Sequence, residues 1–370
     1  MAQPQSSSDS TARQYLLFVG TYTKAEGKGI YAYSYDGKSG KCATLGLAAE
    51  TTNPSFMVGD RSQRFLYVVN EVAHYRGASS GSVGAYAIDR STGRLSLLNE
   101  VASGGADPCY IALDQTGTFA LVANYTGGSL AVLPILSNGR LGDATAFVQH
   151  RGAGKNPDRQ EGPHAHWIET TPDNRLALVA DLGLDEIRIY RFNPAQGSLV
   201  PNDPHFVKVE PGAGPRHITF SPDGCFVYVI NEMASTVTVF SFDSTGGALQ
   251  SLQSISTLPP EFKRPNDTAQ ICVHPGGKFL FASNRGHDSI AVFVIDQVTG
   301  KLTLVDHSST QGKTPRHFAT DPAGSRLLVA NQDASSIVVF DIDLRTGRLT
   351  ATGERFEVPS PVCLRFVEAS

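Results

Sequence analysis

The 370-residue chain lacks most of the features that announce a function. It has no basic run, and its net charge is -4, so nothing marks it for nucleic acid. No stretch approaches the ~18 consecutive apolar residues of a membrane-spanning helix. The five cysteines, Cys42, Cys109, Cys225, Cys272 and Cys363, lie far apart and include no C-x-x-C. That spacing argues against a disulfide framework or a thiolate metal site, and it fits a reducing compartment, with the cytoplasm expected. G-x-S-x-G is missing, which removes the nucleophile elbow of an acyl-enzyme hydrolase. GAGKN at 152 has neither the full phosphate-loop pattern nor a helix after it. There is no H-E-x-x-H, and His164-x-His166 alone offers too few ligands, so neither a metal nor an organic cofactor is expected. Residues 1–14 are polar and simple, without the apolar core of a signal peptide, and read as a disordered tail.

What the chain has in quantity is turn residues, 36 Gly and 21 Pro, and a repeat. The clearest copy is GAGPRHITFSPDGCFVYVINE, Gly212 to Glu232. Two alternating apolar runs flank Pro222-Asp223-Gly224, so the segment predicts an antiparallel hairpin. Arg216 and Glu232 are equidistant from Gly224 and fall at the same end. Related strand starts occur at Pro54, Pro108, Pro163, Pro315 and Pro361, with Thr268 in the remaining place. Related strand ends occur at Asn70, Asn124, Asp181, Asn284 and Asn331. A second turn follows each hairpin, as in YDGKSGK at 35, DSTGGAL at 243 and DLRTGRL at 343. There are seven such turns but six complete front hairpins. Pro361–Val367 and Tyr15–Thr21 supply the seventh if they pair. Four-stranded units of roughly 40–50 residues predict an all-β fold, a seven-bladed β-propeller of antiparallel blades over 15–370, its last blade closed by both termini.

Three segments exceed the repeat: Glu71 to Ser82, Gln149 to Glu161 and Leu258 to Asp267. In a four-stranded antiparallel blade they emerge at the face that carries the Pro-Arg-His starts. Innermost strands line the channel, so aligning the turns brings His166, Arg216, Gln270 and Arg316 to its mouth. His166 requires a two-residue shift, because Pro163 lies two residues further from its turn than Pro215 does. The neighbouring strand ends add Asn70-Glu71, Asn231-Glu232 and Asn284-Arg285. Arg216, Arg285 and Arg316 suit an anion, since guanidinium forks match phosphate and carboxylate. His164, His166, His217 and His317 can move protons near neutral pH. Glu71 and Glu232 can act as bases or anchor the arginines. Plainer readings stand beside these: strand-end Asn as a turn device, Arg216–Glu232 as a bridge holding the blade, and Trp167 as core.

NPDRQEGPHAHWI, VADLGLDEIRIYRF, GAGPRHITFSPDG, VINEMASTVTVF, SNRGHDSIAVF and TPRHFATDPAGSRLLVANQDASSIVVF resemble the seven-bladed propeller lactonase family, over roughly Leu16 to Phe366. That family includes bacterial 6-phosphogluconolactonases and is similar to fungal carboxy-cis,cis-muconate cycloisomerases. The resemblance implies a site made of His166, with His164 close by, Arg216, Glu232 and Arg285, and the rim geometry adds His164, His217, Asn231, Asn284, Arg316, Gln270 and Glu71 as candidate substrate contacts. One departure is Gln270, where many members carry a glutamate in an Ala-Glu-Ile pattern. The expectation is a hydrolase that opens a small anionic sugar lactone, 6-phosphogluconolactone above all, as a monomer or weak oligomer without nucleic-acid or membrane partners. The alternatives are a carboxymuconate-type cycloisomerase and a non-catalytic propeller that binds a small anion or a protein.

Overall fold

Each strand in the middle of a repeat is apolar on both sides, because each sheet is packed between two others. In Phe226–Asn231, Val227 and Val229 join one buried cluster, while Tyr228 and Ile230 join the next. Burying each such side chain contributes about 1.5–3 kcal/mol, so this alternation drives sheet stacking from both faces. The outermost strands are half polar instead, as in Leu249–Ser256 (LQSLQSIS). The result, in the computed structural model, which describes residues 13–24 and 26–369, is a ring of seven four-stranded antiparallel sheets. No helix occurs among the described residues. Residues 1–12 of the expected tail lie outside them, and Gln14, expected in that tail, already belongs to a strand.

The closing sheet runs Pro361–Glu368, Gln14–Thr21, Gly29–Asp36 and Cys42–Glu50 from the channel outward. Its two innermost strands pair from Tyr15 opposite Glu368 to Thr21 opposite Pro361. The seven-bladed architecture and this closure agree with the sequence expectation. Trp167 is fully buried between blades. Gly224 closes the Pro-Asp-Gly turn with φ +71°, a value that favours glycine, and its N–H donates to Ser221 O at 2.9 Å.

The strand-end Asn and Asp residues are internal staples. Asn124 Nδ2 donates to Ser103 O and Ser129 Oγ, both at 3.1 Å. Asn331 Nδ2 donates to Thr310 O at 3.1 Å. In the 165–208 blade the same position is Asp181, which pairs with the buried His150 at 2.5 Å. Ser129 is on the third strand of the same sheet, but Ser103, Thr310 and His150 each follow the outermost strand of the preceding blade. These contacts therefore tie second strands to the neighbouring blade, and buried polar groups need such partners.

One irregularity positions the site. Where an inner strand begins, its pairing slips by a residue: between Pro54 and Phe56, Pro108 and Tyr110, Ala165 and Trp167, Pro215 and His217, and Pro315 and His317. Proline suits this place because it has no N–H to give a ladder. The unpaired residue of each bulge is Ser55, Cys109, His166, Arg216 or Arg316. A bulge breaks strict alternation and re-aims the side chain, so neighbours such as Arg216 and His217 both reach the channel region.

Candidate active site

Glu232 follows Phe226–Asn231 and folds back over the mouth, its N–H donating to Gly214 O at 2.7 Å. Three guanidinium groups meet its carboxylate: Arg159 Nη2 at 2.6 Å, Arg216 Nε at 2.8 Å and Arg285 Nη2 at 3.1 Å. Burial alone would raise the Glu232 carboxyl. Arg285, Arg216 and Arg159 outweigh it and hold it at about 2. Glu232 is therefore ionised and a weak base. Arg216 is fixed further by donating from Nη1 to Ala269 O at 2.7 Å and to His217 Nε2 at 3.1 Å. Arg285 Nη2 also donates to Thr268 O at 2.7 Å.

Because arginine only donates, His217 Nε2 must accept and Nδ1 carries its proton. That proton goes to Gln270 Oε1 at 2.6 Å. Burial, then Arg216, keeps His217 well below its ordinary range and so neutral. The amide of Gln270 orients this imidazole without the negative charge that would favour its protonation.

Arg316 stands apart. Among the described residues it has no hydrogen bond and no ion pair, and its guanidinium lies 5.2 Å from the centre of the Tyr22 ring. Tyr22 donates to both oxygens of Glu71, at 2.9 and 3.0 Å, so Glu71 anchors the tyrosine. A cavity of about 690 Å³ opens over this group, lined by Tyr22, Lys24, Glu71, Tyr125 and Gln332 among others. A separate, much smaller cavity, the throat, shares Glu71 with it and is lined by Cys109, Arg216, His217 and Arg316.

His166 lies against that throat. Its Nδ1 is 3.6 Å from Cys109 Sγ, and its ring centre is 5.2 Å from that of His217. Burial, then Arg216 and Arg316, push His166 well below its ordinary range. It is a neutral imidazole beside fixed positive charge.

The structure thus brings His166, Arg216, Glu232, Arg285, His217, Arg316 and Glu71 to one channel mouth, while Gln270, expected there, lies deeper, bonded to His217 and lining the cavity at the opposite end. It does not bring all the expected substrate contacts there. Asn231 Nδ2 donates to Thr236 and Thr238 Oγ1, both at 2.9 Å. Asn284 Nδ2 donates to Thr257 O at 2.9 Å and Ser289 Oγ at 3.2 Å. Both amides therefore face the outer strands, as the turn-and-staple reading implies. His164 stacks on Tyr125, with ring centres 4.5 Å apart, and its Nε2 reaches Glu161 at 3.2 Å. It sits at the side of the mouth. Arg159 is the contact that sequence reasoning missed. The Gln149–Glu161 insertion was a signal for the right face, but nothing separated Arg159 from Arg151 or Lys155 within it.

A ring of blades with a buried ionic cluster and an unpaired arginine at one channel mouth defines a propeller built to meet a small, electron-rich group. Comparison with known proteins narrows this. The chain belongs to the seven-bladed β-propeller lactonase family, whose pattern it matches over residues 16–366. It is 35% identical over 354 residues to the 6-phosphogluconolactonase of Bacillus subtilis, covering 96% of this chain and 99% of that one. It is 34% identical over 312 residues to a 6-phosphogluconolactonase of Formosa agariphila, covering 82% and 86% respectively. The structure of the periplasmic gluconolactonase of Pseudomonas aeruginosa superposes with a TM-score of 0.91 at 36% identity, covering 96% of this chain and all of that one.

Proposed function

We propose that this protein hydrolyses a six-carbon sugar lactone, with 6-phosphogluconolactone as the preferred substrate. The carrying observation is the unpaired guanidinium of Arg316, in the same throat as Arg216 and next to a neutral His166. In this reading the lactone carbonyl enters the throat. Water attacks its carbon while His166 accepts the water's proton. The oxyanion that forms is met by Arg316 and by the Nη2 edge of Arg216, which has no partner among the described residues. Donors held in place before reaction stabilise developing charge most effectively. Collapse breaks the bond from the carbonyl carbon to the ring oxygen, and that oxygen takes the proton back from His166. The product is an open-chain hydroxy acid. The nearby arginines disfavour imidazolium, which returns His166 to its neutral form.

Glu232 serves here as the anchor of Arg159, Arg216 and Arg285, and His217 with Gln270 sets the orientation of Arg216. His164 and Tyr125 form a side wall of the mouth. The proposed setting is a cytoplasmic monomer or weak oligomer; the five free cysteines, with Cys225 exposed, support the reducing compartment. Cell fractionation and sedimentation check those two points. The test of function is proton release from 6-phosphogluconolactone in a pH-stat, with the spontaneous reaction subtracted. A rate for the wild type equal to the spontaneous one overturns the proposal.

A further inference from the structure

The three arginines on Glu232 are not held alike. Arg216 and Arg285 begin or end strands, and each also donates to a backbone carbonyl, Ala269 O or Thr268 O, at 2.7 Å. Their side chains are 3% and 14% exposed. Arg159 is 37% exposed, comes from the 149–161 insertion, and has no backbone carbonyl on its guanidinium among the described residues. Besides Glu232 it has Asp267, whose Oδ1 is 3.9 Å from Nη1, and the phenol of Tyr125, which lines the wide mouth.

The base of this side chain is nevertheless fixed. The next residue, Gln160, is wholly buried. Its Nε2 donates to Leu182 O and Asp185 Oδ1, both at 2.8 Å, and its Oε1 accepts from Asn156 N at 2.9 Å. Arg159 is thus a long arm on a rigid root, its head between Glu232 and Tyr125, and Tyr125 lines the cavity. Glu232 keeps two other cations when this arm leaves. An arm that can move from a carboxylate already satisfied twice is suited to an incoming dianion, because guanidinium binds phosphate as a two-pronged, charge-assisted fork.

We propose that Arg159 selects a phosphorylated sugar lactone over its unphosphorylated counterpart by moving from Glu232 to the substrate's phosphate at the rim of the mouth. This rests on the lactonase reading. It gives Arg159 a specificity role, separate from the oxyanion role assigned deeper in the throat.

The experiment compares wild type, Arg159→Ala and Arg159→Lys on 6-phosphogluconolactone and on unphosphorylated gluconolactone. Calorimetric titration with the two open-chain products, 6-phosphogluconate and gluconate, runs beside it. Loss of one charge-assisted fork predicts that Arg159→Ala lowers kcat/KM for the phosphorylated lactone by about 10- to 100-fold, mainly through KM. For the unphosphorylated lactone the expected change is under about threefold, and Arg159→Lys recovers part of the loss, since lysine keeps the charge without the fork. In calorimetry the preference for 6-phosphogluconate over gluconate collapses in Arg159→Ala. An equal fall on both lactones overturns the proposal and leaves Arg159 as a support for Glu232; no change on either also overturns it. If the wild type hydrolyses neither lactone, the lactonase reading fails, and the calorimetric preference still decides whether Arg159 reads phosphate.

Discussion

Where the inner strands begin, the channel wall carries His166, Arg216 and Arg316. Where the same strands finish, a second cavity of about 410 Å³ is walled largely by apolar residues such as Val58, Ala112 and Phe366. Its charged groups are Glu169, Asp321 and Arg365, and Asp321 is occupied by its own turn, accepting from Ser325 and Arg326 N–H. A layer of rings and one amide lies between the two ends. Phe56 and Tyr110 stack with centres 4.2 Å apart, and His217 and His317 meet Phe56 edge-on at 5.9 and 5.6 Å. The difference between the ends follows from pairing. Regular ladders send successive side chains alternately into the two spaces that flank a blade. The bulges at strand starts suspend that rule and aim one extra residue per blade at the channel. Chemistry can gather where alternation fails.

If so, substitutions at the two ends should separate. The largest effect is expected at Glu232. Glu232→Gln leaves Arg159, Arg216 and Arg285 crowded without their carboxylate, and removing one partner of a buried ionic group costs about 3–5 kcal/mol. The urea midpoint should fall accordingly. The pH dependence carries a sign. The Glu232 carboxyl is held at about 2 in the fold, below an ordinary glutamate near 4.3 when unfolded. Its contribution is therefore full above pH ~4.3 and is lost as pH falls toward the folded value. Wild type should lose stability over that window, and Glu232→Gln should lose much less. A variant as stable as wild type at pH 7 would mean the cluster is not holding the blades.

Arg316→Ala should do the reverse. Because Arg316 has no hydrogen bond or ion pair among the described residues, only its contact with the Tyr22 ring, its removal should change the urea midpoint little. Loss of an oxyanion donor should lower kcat about 100- to 1,000-fold. A stability loss with full activity would move Arg316 from chemistry to structure.

His166 gives a smaller, pH-dependent test. Its ring stays neutral well below the ordinary histidine range, so kcat/KM should remain level as pH is lowered past ~6.5. An acid limb centred near that value would show a histidine unaffected by Arg216 and Arg316, and would remove it as the buried base. His166→Gln should abolish whatever acid limb appears at lower pH and reduce kcat by about 100-fold or more.

These residues differed in how far the sequence could expose them. The blade count, the closing sheet and the Pro-X starts were legible because hairpins are local and turn residues punctuate them. His166 was legible only through the two-residue offset of Pro163, which the structure resolves as a strand beginning at Ala165. Asn231 and Asn284 were read onto the rim by proximity to Glu232 and Arg285. Successive residues in a strand face opposite ways, so the Asn and the residue after it cannot both turn to the channel. The amide goes to the hydroxyls of the outer strands, and Glu232 or Arg285 takes the rim. Arg159 was hidden for a different reason. Its position depends on how Gln160 is buried beneath the loop, a tertiary fact that loop length and composition do not encode.

The smallest effect is expected at the finishing end. Tyr110 donates to Glu169 Oε1 at 2.5 Å. Burial raises the Glu169 carboxyl above its ordinary range, although Tyr110 and Arg365 pull the other way. A carboxyl raised on folding favours the protonated fold: that contribution is full below the unfolded value near 4.3 and disappears as pH rises through the raised one. Glu169→Gln keeps an acceptor for Tyr110 without a charge to bury. Its melting temperature should match wild type near pH 4 and exceed it by about 1–2 °C at pH 8. Lactone hydrolysis should be unaffected, because the ring layer of Phe56, Tyr110, His217 and His317 stands between Glu169 and the throat. A tenfold loss of activity would instead join the two cavities into one functional channel.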